Sequence, residues 1–554
     1  MVAILPDTED LEDWASDEFG GAQLGDARRT QRLVALARGL AQKAHVSFPQ
    51  ALSGAQLKAA YRFFDNEAVD PDGILASHVA QTVGRMQQVP VVLAVQDTTE
   101  FNLANLPATE GLGHGTGGNL HGFMLHSVLA VTPEGLPLGV LSMKTWVRAP
   151  QASGKAKQRR ALSIREKESV KWLEGLECLE PLKMQCPDTH LVAVSDREGD
   201  VYDVFLAPRP AGVDWLVRAA WNRGVDHAEK YLWETVAAAS VLGETVLHVP
   251  RSGARQARSA RLALRCVPVQ LRPPRSRGAE DLPSLEVFAI HALELDPPEG
   301  VEPLEWMLLS SMPTQTLEDV LERLSWYARR WTIESWHRVL KSGCQIEARQ
   351  FGTLERFLRA TALFAVIGWR ILYATMLGRL EADIPCSVLL QSLEWQALYC
   401  RTHGTTKPPE QAPKLSEAVL WVAKLGGYLG RKNDDPPVLL SSGAASSFCT
   451  KSPKCIGSSR KTSKPPEVVG KGKRMRERGR GRGQALAYRH ASLRRYSGPL
   501  PNPLPHAGEG ANSAPSFSGW PAPCGRSAAA PGGRSSDKAG GMRPTAPATL
   551  PPGS

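Results

Sequence analysis

Apolar positions along this chain follow two rhythms in turn, first a helical one and then the alternation of strands. Ala22 to Gln42 places Leu33, Leu36 and Leu40 at helical spacing, with Arg28, Arg29 and Arg32 opposite, and predicts a helix. Gly54 to Phe64 predicts a second one, ending at Asp65-Asn66. From Val91 the pattern changes. Val91 to Gln96 (VVLAVQ) is a β-branched run closed by Asp97. Met124 to Val131 and Leu136 to Trp146 predict two strands joined by a turn at Pro133 to Gly135. Glu166 to Glu177 is helical, Leu191 to Val194 is a buried strand running into Ser195-Asp196, and Trp215 to Ala219 is a further strand. Strands interleaved with helices, with carboxylates at two strand ends, predict a mixed α/β sheet whose site lies at its edge.

The second half continues the alternation before turning helical. Residues 241–312 hold four strand-like runs (ETVLHVP, RLALRCVPVQL, LEVFAIHALEL, LEWMLLSS) between Pro-, Gly- and Arg-rich turns, and are read as a β insertion. Leu317 to Ser342 predicts one long helix, Leu354 to Leu380 another, and residues 386–432 are mostly helical. Beyond Pro437 the pattern stops. Residues 438–554 hold 15 Pro and 17 Gly, and the basic run KGKRMRERGRGRG from Lys471 to Gly483, a composition that cannot bury enough apolar surface to fold.

Charge follows the same division. The chain has 554 residues with 66 Lys+Arg and 56 Asp+Glu, net +10, and 42% apolar residues, which excludes wholesale disorder. Residues 438–554 contribute 19 basic and 4 acidic residues, so the first 437 hold 47 basic and 52 acidic. The basic excess belongs to the tail, and any DNA affinity of the body must come from local stripes. Nine cysteines at irregular spacings, with no C-x-x-C pair, argue against a disulfide framework or zinc site and for a reducing cytosol. Met1 to Leu11 is acidic and has no apolar signal region. The most apolar stretch, Ala360 to Trp369, is about half a membrane span and is read as buried core, with no membrane partner.

Three acidic residues stand out. Asp97 (VQDTTEFN) and Asp196 (AVSDREGD) close strands, and Glu334 lies in YARRWTIESWHRVLK. On a continuous helix Tyr327, Arg330, Glu334 and Lys341, spaced +3, +4 and +7, fall within roughly 60° of one another. Such a stripe fits a solvated face with an Arg–Glu pair, or a surface that meets phosphates. The arginines of Ala22 to Gln42 likewise fit either a solvated face or DNA contact. Carboxylates in this number suit phosphodiester chemistry, in which two hard divalent ions, Mg²⁺ or Mn²⁺, activate water and stabilise the leaving 3′-oxygen.

These motifs resemble the DDE transposases of the insertion-sequence-four family, which includes the transposon-five transposase. The resemblance rests on DTT at Asp97, DRE at Asp196 and Y-x2-R-x3-E-x6-K from Tyr327 to Lys341. It is supported by LGDARRTQRL at Leu24, AYRFFDN at Ala60, HS at His126, KESVKWL at Lys167, DWLVR at Asp214, LEWMLLSS at Leu304 and LGGYLGRK at Leu425, and covers about residues 10–435. It implies an α/β fold with an RNase H-like catalytic core and β-strand insertion, between an N-terminal helical DNA-binding domain and a disordered C-terminal tail. The divisions expected are 1–75 (helical DNA-binding domain), 76–240 (core, first part), 241–312 (β insertion), 313–385 (core with the Glu334 helix), 386–437 (truncated helical domain) and 438–554 (tail). Asp97, Asp196 and Glu334 would hold two Mg²⁺ or Mn²⁺ ions; Tyr327, Arg330, Lys341 and Arg218 would hold the DNA end; Trp306 would stack on a flipped base. Arg28, Arg29 and Arg32 are the expected inverted-repeat contacts. The implied activity is cut-and-paste transposition of double-stranded DNA by a homodimer, through a hairpin intermediate, in a bacterial cytoplasm at the nucleoid. The alternatives are a silent or inhibitory end-binding protein and an RNase H-like nuclease. The resemblance stops near Pro437, so the tail is read as a frameshift or read-through product, or else as a nucleic-acid-binding arm.

Overall fold

In the computed structural model, residues 13–425 and Tyr428 are described, apart from 116–120, 149–161, 250–257 and 278–280. The predicted tail, 438–554, with its Lys471–Gly483 run, lies outside the described residues.

A single sheet organises the body. Its strands are β1 (Val91–Asn102), β2 (Gly113–His114), β3 (His121–Val131), β4 (Pro137–Trp146), β5 (His190–Ser195), β6 (Val213–Arg218), β7 (Gly243–Val249), β8 (Arg258–Leu271), β9 (Leu285–Glu294) and β10 (Glu305–Ser310). Their order is β2-β3-β1-β5-β6-β10-β9-β8-β7, with β4 also paired to β3. β1, β5 and β6 are parallel, while β3 and β4 and the strands from β10 to β7 pair antiparallel. The parallel centre is buried on both faces, which explains why VVLAV and LVAV are apolar throughout rather than alternating.

Two expectations change here. Asp97 does not close its strand: β1 runs on to Asn102, because β3 continues to pair with it through Thr98, Thr99 and Phe101 after β5 has ended. Residues 241–312 hold the four predicted strands, β7 to β10. β10 hydrogen-bonds to β6, so these strands prolong the central sheet and cover what would be an open edge. Leu317 to Ser342 is not one helix either. It divides into Leu317–Ala328, Trp331–Arg338 and a π-turn at Val339–Gly343, because bonding tightens to i→i−3 at Arg329, Arg330 and Thr332, while the Arg329 side chain reaches the Pro133 carbonyl.

Helices cover both faces. Val170–Glu177 lies so close to β1 that a Cβ on Gly175 would meet Gln96 Oε1 at 2.3 Å. The helix Leu354–Leu380 coincides with its predicted span and is long and apolar enough to cross a membrane, yet 83% of its most apolar window is buried inside the protein. It packs against Pro71–Met86, a helix that crosses the expected 75/76 boundary, and against β4. N-terminal helices Trp14–Phe19, Ala27–Ala41 and Gly54–Phe64 precede it, and Ser392–His403 and Leu415–Leu425 follow.

A buried ion cluster joins these layers. His78, fully buried, bonds Glu18 through Nδ1 and accepts the Val140 N–H through Nε2 at 3.0 Å. Arg85 adds a bond to Glu18 (2.7 Å) and lies 4.4 Å over Trp369. Burial alone would raise the Glu18 carboxyl, but His78 and Arg85 outweigh it and hold it at about 2. Burial pushes the His78 imidazole down. Both groups therefore bind fewer protons folded than unfolded, so stability falls as pH drops below about 6.5, where unfolded His78 protonates, and again below about 4.5 for Glu18. Glu18→Ala leaves Arg85 beside an empty pocket and is expected to cost about 3–5 kcal/mol in denaturant unfolding at pH 7, with a flatter acid limb than the wild type. A loss of only a few tenths of a kcal/mol would contradict the account.

Candidate active site and DNA interface

Strand register brings the first two acids together. Val95 lies opposite Val194 across the parallel β1–β5 pair. Two residues further on, Asp97 and Asp196 stand side by side on the same face of strands about 4.8 Å apart. Asp97 remains in the β1–β3 ladder opposite Ser127. Asp196 caps a short 3₁₀ turn, Arg197–Gly199, by accepting the Glu198 N–H at 2.9 Å. Glu198, the last residue of DRE, turns away to Lys171 (3.1 Å).

The third acid arrives on the Trp331–Arg338 helix, which packs on β1. Glu334 Oε1 lies 2.5 Å from Arg330 Nη2; the two side chains are 27% and 9% exposed. The Arg330 guanidinium also lies 4.9 Å from the Trp331 ring centre, and its buried Nε has no hydrogen-bond partner. Its charge acts on Asp97 and on Asp196 as well as on Glu334, so all three acids share one cation.

The aspartates respond oppositely. Burial would raise the Asp97 carboxyl, but a neighbouring His337, whose Nδ1 lies 3.6 Å from Oδ2, and the Arg330 charge hold it below the usual range. Asp196 is raised, first by burial and then by the negative charge of Asp97. Two carboxylates this close shift apart in this way, because the charge on one disfavours ionisation of the other.

Other expected residues join this cluster. Tyr327 is buried, and burial raises its phenol; the charges of Arg330, Arg218 and Asp196 all reach it. Arg218 ends β6, one residue along from the Ser195–Val217 pair and so beside Asp196, and donates to the Glu305 carbonyl at 2.9 Å. Trp306 packs edge-on against Tyr327, with ring centres 5.5 Å apart. Lys341 does not join. The π-turn carries it away from the stripe, and its Nζ bonds the Glu100 carbonyl at 2.6 Å, three residues beyond Asp97.

Sequence reading missed His337 and Asp200 as supports, and gave His126 no role. His337 is buried against Asp97, and its Nε2 has no partner. His126, opposite Thr98 on the reverse face of β1, lies 3.0 Å from Thr98 Oγ1 and 3.3 Å from Gln96 Oε1; burial, with the Lys171 charge, lowers it to about 3 and keeps it neutral. Asp200 is a clamp: its Oδ2 accepts the N–H groups of Ala220 and Trp221 (2.7 and 3.0 Å), and its Oδ1 takes Arg223. Only the spacing of the two carboxylates in DREGD hinted at it.

As to a metal, the donor chemistry fits and the positions do so only in part. Asp97 and Asp196 offer adjacent hard oxygens, suited to Mg²⁺ or Mn²⁺. Among the described residues, however, no group of three or more His, Cys, Asp or Glu side chains is gathered closely enough to hold a metal ion. Glu334 is engaged by Arg330 instead.

A second basic surface lies on the N-terminal helices. A cleft between Ala27–Ala41 and Gly54–Phe64 is lined by Arg28, Arg29, Arg32, Gln56, Lys58 and Arg62. Arg28 pairs with Asp26 (2.9 Å) and Arg29 reaches the Leu24 carbonyl (2.6 Å), while Arg32, Lys58 and Arg62 are exposed. Lys58 and Arg62, four apart on one helix face, were legible in the sequence but not singled out.

Residues 11–69 match the family model described as "Transposase DNA-binding". Among solved structures, a piggyBac transposase synaptic complex with hairpin DNA is similar at 9% identity, over 64% of this chain and 67% of that chain, with a TM-score of 0.31, a level that establishes no shared fold. If the cleft meets phosphates, the Arg32→Ala, Arg62→Ala double variant binds duplex DNA more weakly and lowers the slope of log affinity against log salt by about 2. Fluorescence anisotropy across a salt series measures this, and an unchanged slope would exclude the cleft. The N-terminal helical segment of this chain is thus similar to the DNA-binding domain of transposases.

Proposed function

We propose that this chain is a DNA transposase of the insertion-sequence-four type, which binds element ends through residues 11–69 and cuts and joins DNA at Asp97, Asp196 and Glu334. The observation that carries the proposal is the pair Asp97–Asp196, set side by side by strand register in a chain whose N-terminal segment matches a transposase DNA-binding model. The order β4-β3-β1-β5-β6, antiparallel on one side of β1 and parallel on the other, supports an RNase H-like core.

In this reading water attacks a phosphodiester phosphorus at the element end. The bond to the 3′-oxygen breaks, that oxygen takes a proton, and the other side keeps a 5′-phosphate. The new 3′-hydroxyl then attacks the opposite strand to form a hairpin and, after reopening, a target phosphodiester, each time displacing another 3′-oxygen. Two divalent cations, when bound, would lower the pKa of the attacking water and stabilise the leaving oxygen. Asp97 and Asp196 would hold them, with Glu334 as the third ligand. Arg330 and Arg218 face the phosphates, Tyr327 orders both guanidiniums, and Trp306 offers an aromatic surface to an extruded base. Lys341 would meet DNA farther along β1. Two chains acting together is part of the proposal.

A second reading, a silent end-binding protein, is favoured by one observation: no three-acid cluster is gathered among the described residues. Incubating the full chain with Mg²⁺ or Mn²⁺ and duplexes selected from a random pool by binding decides between them. Expected is cleavage leaving 3′-hydroxyls that falls at least about 100-fold in Asp97→Ala and Asp196→Ala, since losing even an outer-shell partner of a metal typically costs 10–100-fold. Equal binding without cleavage in any form of the protein supports the second reading. Cleavage that survives both variants overturns the first.

A further inference from the structure

We infer that Arg330 is a latch, an internal cation that keeps Glu334 out of the metal site until a DNA phosphate replaces Glu334 as its partner. The inference rests on the reading of Asp97, Asp196 and Glu334 as metal ligands and adds the order in which the site is assembled.

Three carboxylates set around one half-buried place need a positive charge. Here Arg330 supplies it. Its Nη2 lies 2.5 Å from Glu334, with its side chain 9% exposed and its charge felt by both aspartates. Removing one partner of such a buried pair leaves the other charge uncompensated, so neither group lets go without a substitute. A phosphate diester is one, because guanidinium binds carboxylate and phosphate with the same planar fork.

The setting of the guanidinium favours that exchange. Trp331 lies against it at 4.9 Å, and the charge of Glu334 holds it in place, yet its buried Nε donates to nothing. An arriving acceptor would satisfy that donor while Nη2 changes partner. Glu334, freed from the pair, sits on the first turn of a helix packed on β1, beside Asp97. The same exchange explains why no three-acid group is gathered while Arg330 holds Glu334.

The consequence is coupling. DNA and divalent metal raise each other's affinity by the same factor, because each favours the state in which Arg330 has left Glu334. Without DNA the site binds metal poorly, which guards against indiscriminate nicking.

Mn²⁺ binding, read from the electron paramagnetic resonance signal of the free ion, tests this on the full chain without reliance on turnover. Wild type, Arg330→Gln, Glu334→Gln and Asp97→Asn are compared with and without a short blunt duplex. Expected is weak Mn²⁺ binding to the wild type, strengthened about 10-fold or more by the duplex. Arg330→Gln without DNA should bind Mn²⁺ about 10-fold more tightly than the wild type and gain nothing further from the duplex. Glu334→Gln should abolish the gain. The duplex arm uses unaltered protein, so it stands even if Arg330→Gln folds poorly, and circular dichroism reports that case. Unchanged or weaker Mn²⁺ binding in folded Arg330→Gln, or a wild type indifferent to the duplex, overturns the latch while leaving the metal reading intact, provided that Asp97→Asn still loses the ion. Mn²⁺ binding indifferent to Asp97→Asn overturns the metal reading and the latch together.

Discussion

Two negative charges set on neighbouring parallel strands are the constraint around which the site is built. The β1–β5 register leaves Asp97 and Asp196 little distance to retreat, since Asp97 is held in the β1–β3 ladder and Asp196 follows directly on β5, whose last pair is Ser195–Val217. Coulomb repulsion between charges a few ångströms apart in a partly buried place is worth several kcal/mol at an effective dielectric constant of about 20. The protein meets it by raising Asp196, placing His337 beside Asp97 and aiming a buried guanidinium at the pair. Each device compensates charge, and each is weaker than a divalent ion would be in the same position.

The rest of the fold holds these groups still. β10 and the strands beyond it close the β6 edge, so Arg218 is fixed beside Tyr327 and on the Glu305 carbonyl. Asp200 pins the loop that follows β6. Behind β1, His126 stays neutral between Gln96 and Thr98, and Trp172 closes over its ring at 4.7 Å between centres. Arg349, buried among the carbonyls of Ala44, Val46 and Cys344 and 3.9 Å from the Phe364 ring centre, ties the end of the Glu334 segment to the N-terminal helices. The DNA-binding segment and the acids therefore belong to one packed body, joined a second time through Glu18, His78 and Arg85.

Much of this was legible in the sequence, and the failures have physical causes. Buried strands announced themselves as β-branched runs, and Leu354–Leu380 as an apolar helix, because local pattern decides both. Asp97 was misplaced at a strand end because a carboxylate after VVLAVQ looks like a stop, while the ladder that carries β1 to Asn102 is supplied by β3, some thirty residues away. The broken helix at Arg329–Arg330 was invisible, since neither Gly nor Pro marks it and a contact to Pro133 accompanies it. That break still leaves Tyr327, Arg330 and Glu334 together, whereas the later π-turn sends Lys341 to Glu100. His337 and Asp200 have no periodic signature, because their partners come from other elements.

A crystal structure of the chain bound to Mn²⁺ and a duplex DNA end tests the central claim most directly, through the anomalous signal of manganese. The account predicts a peak between Asp97 and Asp196, with Glu334 turned to it and Arg330 on a phosphate. A complex in which DNA is bound, Glu334 remains on Arg330 and no anomalous peak stands at the two aspartates would contradict it.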